Sequence, residues 1–144
     1  MSKLPFDQLL ERLEAEGYGH LLAEKGTKNV SIYDLRLEHS GHREQPWRVC
    51  DTERGHVLKT YLSTDDEAEA CALWYAKVSN MYLLLRTWPS VTQAERAAAE
   101  LTKAGIRTSR NDLPDDPYFK GMRYRNFVAG RDLHRGAEIL AAID

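Results

Sequence analysis

From Trp47 to Tyr75 the chain alternates, turns, alternates back and then changes period. Trp47, Val49 and Asp51 alternate with Arg48, Cys50 and Thr52, the period of a strand. Glu53-Arg54-Gly55 supplies a turn in which Gly55 is free to take positive φ. Val57, Lys59 and Tyr61 alternate with Leu58 and Thr60 on the return strand. Thr64 followed by Glu67 reads as a capping box that opens a helix from Asp65 to about Ser79. Ala68, Cys71, Ala72, Tyr75 and Val78 share one stripe of that helix, with Trp74 at its edge.

The flanking segments follow the same two periods. Pro5 suits a first helical turn, and Phe6, Leu9, Leu10 and Leu13 recur at helical spacing until Gly17 and Gly19 end the run. Asp7, Glu11, Glu14 and Glu16 lie off that stripe, as a solvated face or as a partner surface. Tyr18 to Asn29 reads as loop. Val30 to Leu37 reads as one strand with apolar residues on both faces, and His39 to Pro46 as a loop. Tyr82 to Thr87 is a compact apolar strand of the kind buried on both faces. Ser90 caps the next helix, with Gln93 three residues on and Val91, Ala94, Ala97, Ala98 and Leu101 inward, and Gly105 stops it. Ile106 to Ser109 reads as a short strand. Arg110 to Gly121 is a loop rich in Asp and Pro, and Met122 to Ala129 alternates again. Asp132 caps a last helix with Leu133, Ala137, Leu140 and Ala141 inward.

The predicted order is α-β-β-β-α-β-α-β-β-α. Residues 1–80 form an αβββα half and residues 81–144 a βαββα half, a split arrangement akin to ferredoxin-like folds. Only Ser79-Asn80 separates the halves, with no Pro/Gly/Ser linker. The sequence therefore predicts a single α+β domain over residues 1–144, with a mainly antiparallel sheet shared by both halves and flanked by helices.

Composition adds bounds. The chain has 144 residues, 42% of them hydrophobic, and a formal charge of -2, too near neutral to require a polyanionic or membrane partner. Residues 1–80 carry ten Lys and Arg against fourteen Asp and Glu, whereas residues 81–144 carry ten against eight. The first half is the side that suits a basic partner. No apolar stretch approaches a bilayer span, and the N-terminus lacks a signal-peptide core, so the expectation is a soluble cytoplasmic protein. Cys50 and Cys71 belong to no metal or redox motif and read as small apolar filling.

The sequence carries little chemistry. No Gly-rich phosphate loop, GxSxG, HExxH or EF-hand pattern is present. His39 and His42 have no third ligand nearby, a Cys50–His56 couple would lack an oxyanion hole, and Glu53-Arg54 is accounted for as a turn. The expectation is a non-enzyme without catalytic residues, metal or cofactor. Arg123 and Arg125 share a strand face with aromatics nearby. They are set against Asp112, Asp115 and Asp116 in the preceding loop, so no direct nucleic-acid contact is expected. Two acidic patches are the candidate partner-binding surfaces. One is Asp65, Asp66, Glu67 and Glu69, which a helix N-terminus also explains. The other is Asp112, Asp115, Asp116, Tyr118 and Phe119, preferred because an aromatic pair beside acids has less structural cause.

The acidic first helix, the segment WRVCDTERG from Trp47 to Gly55, and the helix in STDDEAEACALWYA together resemble the small immunity proteins encoded beside bacterial polymorphic and contact-dependent growth inhibition toxins. The resemblance covers about residues 4–80. Cys50 and Asp51 depart from the aromatic or polar residues of that pattern. It implies a cytoplasmic toxin inhibitor that binds the C-terminal domain of a cognate toxin, commonly a nuclease, and occludes its active site. Such families share no fixed binding residues, so only the turn and strand motif carries over. The alternative is a regulatory or ligand-sensing module using the C-terminal βαββα half.

Overall fold

The structure is a computed structural model that describes residues 5–26, 28–113 and 123–143. It divides into two compact units, Met1–Asn80 and Met81–Asp144. Both are α+β, and each pairs an antiparallel sheet with two helices.

In the first unit, α1 spans Phe6–Ala15 and buries Phe6, Leu9 and Leu13. Its end is a Schellman turn. Gly17 takes φ 96°, Tyr18 N–H donates to Leu13 O at 2.8 Å, and Gly17 N–H donates to Glu14 O at 3.2 Å. The turn drives Tyr18 into the core at 1% exposure, where composition had suggested loop. A single helical turn, Gly19–Leu21, leads into the two-residue strand β1, Leu22–Ala23.

The single strand expected over Val30 to Leu37 is a hairpin instead, β2 Asn29–Ile32 and β3 Leu35–His39. Ile32 pairs with Leu35, and Tyr33-Asp34 makes the two-residue loop. The apolar residues on both faces of that stretch arise because the chain reverses in its middle. β4, Trp47–Glu53, and β5, His56–Thr64, complete a sheet ordered β1-β2-β3-β4-β5, antiparallel throughout.

Helix α2, Glu67–Ser79, covers one face of this sheet. Its N-cap is Asp66 rather than Thr64: Asp66 Oδ1 accepts from Glu69 N–H at 3.2 Å, while Thr64 Oγ1 accepts from Asp66 N–H at 3.1 Å. The buried stripe also differs from the expected one. Ala70, Cys71, Trp74 and Val78 are buried, and Ala68, Ala72 and Tyr75 are only half-buried. Trp74 lies at the centre of the stripe, 0% exposed, and its Nε1–H donates to Leu35 O at 3.2 Å.

The opposite face of the sheet is a charged layer. Glu38 receives Arg48 Nε at 2.8 Å and lies 3.5 Å from Arg43 Nη1 and 3.8 Å from Arg36 Nη1. Arg36 also pairs with Glu24. Cys50 shares this face with Arg36 and Arg48 by register and is fully buried.

In the second unit, β6 Tyr82–Trp88, β7 Thr108–Arg110 and β8 Tyr124–Ala129 form a sheet ordered β6-β8-β7. Among the described residues the strands therefore make two separate sheets, not one shared by both halves. Helices α3, Val91–Lys103, and α4, Leu133–Ala141, pack on one face. The core there is Trp88, Ala94, Ala97, Leu101, Ile106, Val128 and Leu140. Ser90 Oγ caps α3 by accepting from Gln93 N–H at 3.3 Å. A second Schellman turn ends it, with Gly105 at φ 83° and Ile106 N–H donating to Leu101 O at 2.9 Å. Val91, expected inward, is 40% exposed. In α4 the inward residues are Gly136 and Leu140, with Leu133, Ile139 and Ile143 half-buried, while Ala137 and Ala141 face solvent.

β6 departs most from expectation. As an outer strand with helices on one side only, it exposes Tyr82 and Leu84. Its inner end is fixed by Asn126, 0% exposed, whose Oδ1 accepts from Trp88 Nε1–H at 2.6 Å and whose Nδ2 donates to Ala94 O at 3.3 Å. The nearly isosteric Asn126→Leu leaves the buried indole N–H unpaired. Its urea midpoint should fall by an amount equivalent to about 1–3 kcal/mol.

Candidate functional site

The β4–β5 hairpin closes on a two-residue loop, Arg54-Gly55, between the paired Glu53 and His56. Both loop residues have positive φ, 52° and 83°, which matches the twist of the strands they join. The turn read from the sequence is therefore present, with Arg54 as well as Gly55 in the left-handed region. Along β5 the register slips twice. Val49 pairs with Leu62 but Cys50 with Thr60, and Asp51 pairs with Lys59 but Thr52 with Val57. Tyr61 and Leu58 are thus extra residues on the outer strand, and such bulges re-aim side chains and sharpen twist.

The two bulges have different outcomes. Tyr61 turns onto the sheet. Its hydroxyl donates to the Asp51 carboxylate, and the ammonium groups of Lys77 and Lys59 sit 3.7 and 4.9 Å from its ring centroid. The bond to Asp51 and partial burial push the Tyr61 phenol up. Leu58 turns outward and is 64% exposed. Every residue from Glu53 to Thr60 is exposed, so the hairpin end stands clear of the core.

An exposed aromatic lies at the same end of the sheet. Asp34, beside Tyr33 in the β2–β3 loop, accepts from Thr52 N–H through its carbonyl at 2.8 Å, and Thr52 pairs with Val57. Tyr33 is 61% exposed and has φ 52°. A bulky residue in the left-handed region at the first loop position costs about 1–3 kcal/mol where Gly would not. Tyr33, Val57 and Leu58 are the exposed large hydrophobic side chains of this end of the sheet, and Glu53, Arg54, His56 and Lys59 are exposed on the hairpin beside the last two.

The residues singled out from the sequence fall elsewhere. Asp65, Asp66, Glu67 and Glu69 do gather in the segment that opens α2, all exposed except the half-buried Glu67. Asp66 is occupied as the cap. This patch follows the other end of β5, about 23 Å along the strand from Val57. Asp112 belongs to the second unit, and its carboxylate is held by Arg110 Nη2 at 2.5 Å. Asp115, Asp116, Tyr118 and Phe119 lie outside the described residues.

Sequence reasoning missed Tyr33 and Leu58. The signal for Leu58 was the adjacent pair Val57-Leu58, which puts apolar side chains on both sides of a strand that can bury only one. Tyr33 was hidden by reading its hairpin as one strand.

The remaining reactive groups are accounted for by packing. His39 lies edge-on to Trp47, with ring centroids 4.9 Å apart. His56 is exposed while Cys50 is fully buried, so they form no couple. Both cysteines are free and buried. Burial pushes the Cys50 thiol up. Burial, with the Glu67 carboxylate adding to it, pushes Cys71 from its ordinary 9.0 up to about 12. A folded-state value above the unfolded one means that stability is full below pH 9 and is lost as pH rises toward 12. The urea midpoint should therefore fall from pH 8 to pH 10.5, with a shallower slope in Cys71→Ala. Both thiols should react with a disulfide reagent only on unfolding. No family model, curated protein or solved structure matches the chain.

Proposed function

We propose that this protein acts by binding another protein, and that it is an immunity protein which occludes the active site of a toxin domain in the cytoplasm. The observation that carries the reading is the projecting hairpin end Glu53–Thr60, with exposed Val57 and Leu58 on an outer strand and the strained Tyr33 beside it. Apolar side chains held on rigid strands bury area with little loss of chain entropy, as interface anchors must. The hairpin also carries the WRVCDTERG turn that resembles immunity proteins.

Charge supports the nature of the partner. Residues 1–80 hold ten basic and fourteen acidic side chains, and the segment opening α2 displays Asp65, Asp66 and Glu69. Such a surface speeds encounter with a basic domain, as most nuclease domains are, while the apolar hairpin end supplies lifetime. For the ligand-sensing alternative the second unit offers a cleft of about 270 Å³ lined by Trp88, Gln93, Arg96 and Ile143, below the usual range for small-molecule sites, and two wider depressions of about 530 and 430 Å³, on α3 and beside β7, that lie open to solvent.

The test is co-expression with the C-terminal domain of the secreted protein encoded beside this gene. The protein should protect cells and bind that domain. Val57→Asp with Leu58→Asp should weaken binding by about a hundredfold or more, with Tm little changed because both side chains are already exposed. Tyr33→Gly should relieve the turn and hold or raise Tm while still weakening binding. Absence of protection, or full affinity in the hairpin variants, contradicts the reading.

A further inference from the structure

The five-stranded sheet ends on β5, whose nine residues meet β4 on one side. Among the described residues no strand pairs with its other side. That edge therefore carries a row of backbone N–H and C=O groups without ladder partners, a template for another strand. The opposite edge of the sheet is β1, which at two residues is too short to serve as one.

Composition does not guard the β5 edge. Its sequence, HVLKTYLST, contains no proline and no acid, and Val57, Thr60, Tyr61 and Thr64 are strand formers. Segments of this kind pair readily with copies of themselves. The one formal charge is Lys59, and its ammonium is held over the sheet, 4.9 Å from the Tyr61 ring centroid. A twofold antiparallel pairing centred on Thr60 sets Lys59 of each copy opposite Leu62 of the other, so no like charges meet.

The guard lies in the backbone. The extra residues Leu58 and Tyr61 divide the seven register pairs of β4 and β5 into stretches of three, two and two. A bulge breaks the even spacing of the ladder groups and coils the strand. An incoming strand thus meets two or three matched residues before register is lost, against about five or six in an ordinary strand. The outer strands of the second unit follow the same rule: β7 has three residues, and β6, with seven, is interrupted at Leu85.

We propose that the outer edge of β5 is a self-association surface kept closed by the bulges at Leu58 and Tyr61, and that a second copy of this chain pairs its own β5 there once they are removed. The bulges leave Val57 and Leu58 in solvent without letting copies join through the strand that carries them. The inference concerns the backbone of the first unit alone and holds whether or not the hairpin end meets a toxin domain.

The experiment is sedimentation velocity of the 144-residue protein across the micromolar range, for the parent, Leu58→Ser, a deletion of Leu58, and a deletion of Leu58 and Tyr61 together. Leu58→Ser keeps the bulge and should associate as the parent does. The single deletion lengthens the adjoining regular stretch from two pairs to four, and the double deletion makes all seven continuous. Each step should strengthen self-association about tenfold or more. Removing an exposed leucine acts the other way on general stickiness, so the gain reports the edge. Hydrogen exchange of the associated form should show new protection along β5. A deletion of Val57 removes the same bulge and is the second variant if the first does not fold. Deletion variants that associate no more than the parent overturn the proposal, as does association without new protection in β5. Loss of a cooperative thermal transition in every deletion variant also overturns it, because the bulges are then needed by the hairpin itself.

Discussion

The first unit depends on one buried contact, the indole of Trp74 donating to the carbonyl of Leu35. Trp74 is fully enclosed, and its N–H would be an unpaired donor without that carbonyl. The bond fixes how far α2 reaches over the sheet. Leu35, Leu37, Trp47 and Val49 share the covered face and are buried. Beyond the row of Leu35 and Asp51 the hairpin continues to Glu53 and His56, and from Glu53 to Thr60 every residue is exposed. The exposed end follows from a helix anchored short of it, and the bulges at Leu58 and Tyr61 decide which side chains it shows.

The second unit repeats the device with different groups. Trp88 comes from the sheet, and Asn126 links it to the carbonyl of Ala94 on α3. Helices then cover one face, and the strand register alone decides what the other face displays. Each unit therefore joins a core held by a tryptophan hydrogen bond to a surface that carries apolar or aromatic side chains into solvent. In the first unit that surface is an edge and a hairpin end. In the second it is the outer strand β6, with Tyr82 and Leu84.

Much of the fold was legible in the sequence because its signals are local. The glycine stops at Gly17 and Gly105, the Ser90 cap, the Arg54-Gly55 turn and the alternation of β4 and β8 depend on neighbours a few residues apart, and all are present. The misreadings have one physical source. They concern which neighbour an element acquires across space. Apolar residues on both faces read as one strand over Val30 to Leu37 and as a doubly buried strand over Tyr82 to Thr87. In the structure they mark a reversal at Tyr33-Asp34 in one case and an outer strand at Tyr82–Trp88 in the other. In α2 the cap is Asp66 instead of Thr64, and packing on the sheet centres the buried stripe on Trp74, which the sequence placed at its edge. For the candidate site, charge drew attention to Asp65 and its neighbours, and acids beside an aromatic pair to the loop of Asp112, Asp115, Asp116, Tyr118 and Phe119; the outward turn of Leu58 arises from a bulge that no periodicity encodes. The two sheets, likewise, are set by pairing across long separations, which the short Ser79-Asn80 junction did not disclose.

The central claim is that the hairpin end of the five-stranded sheet is where this protein meets its partner. Hydrogen exchange of the 144-residue protein, alone and with the proposed toxin domain, tests it most directly. The account predicts that protection on binding concentrates around Tyr33 and at Glu53–Thr60, where the outer strand β5 leaves amides of its unpaired edge open to solvent. Protection confined to other segments, with these amides exchanging as fast as before, would contradict it.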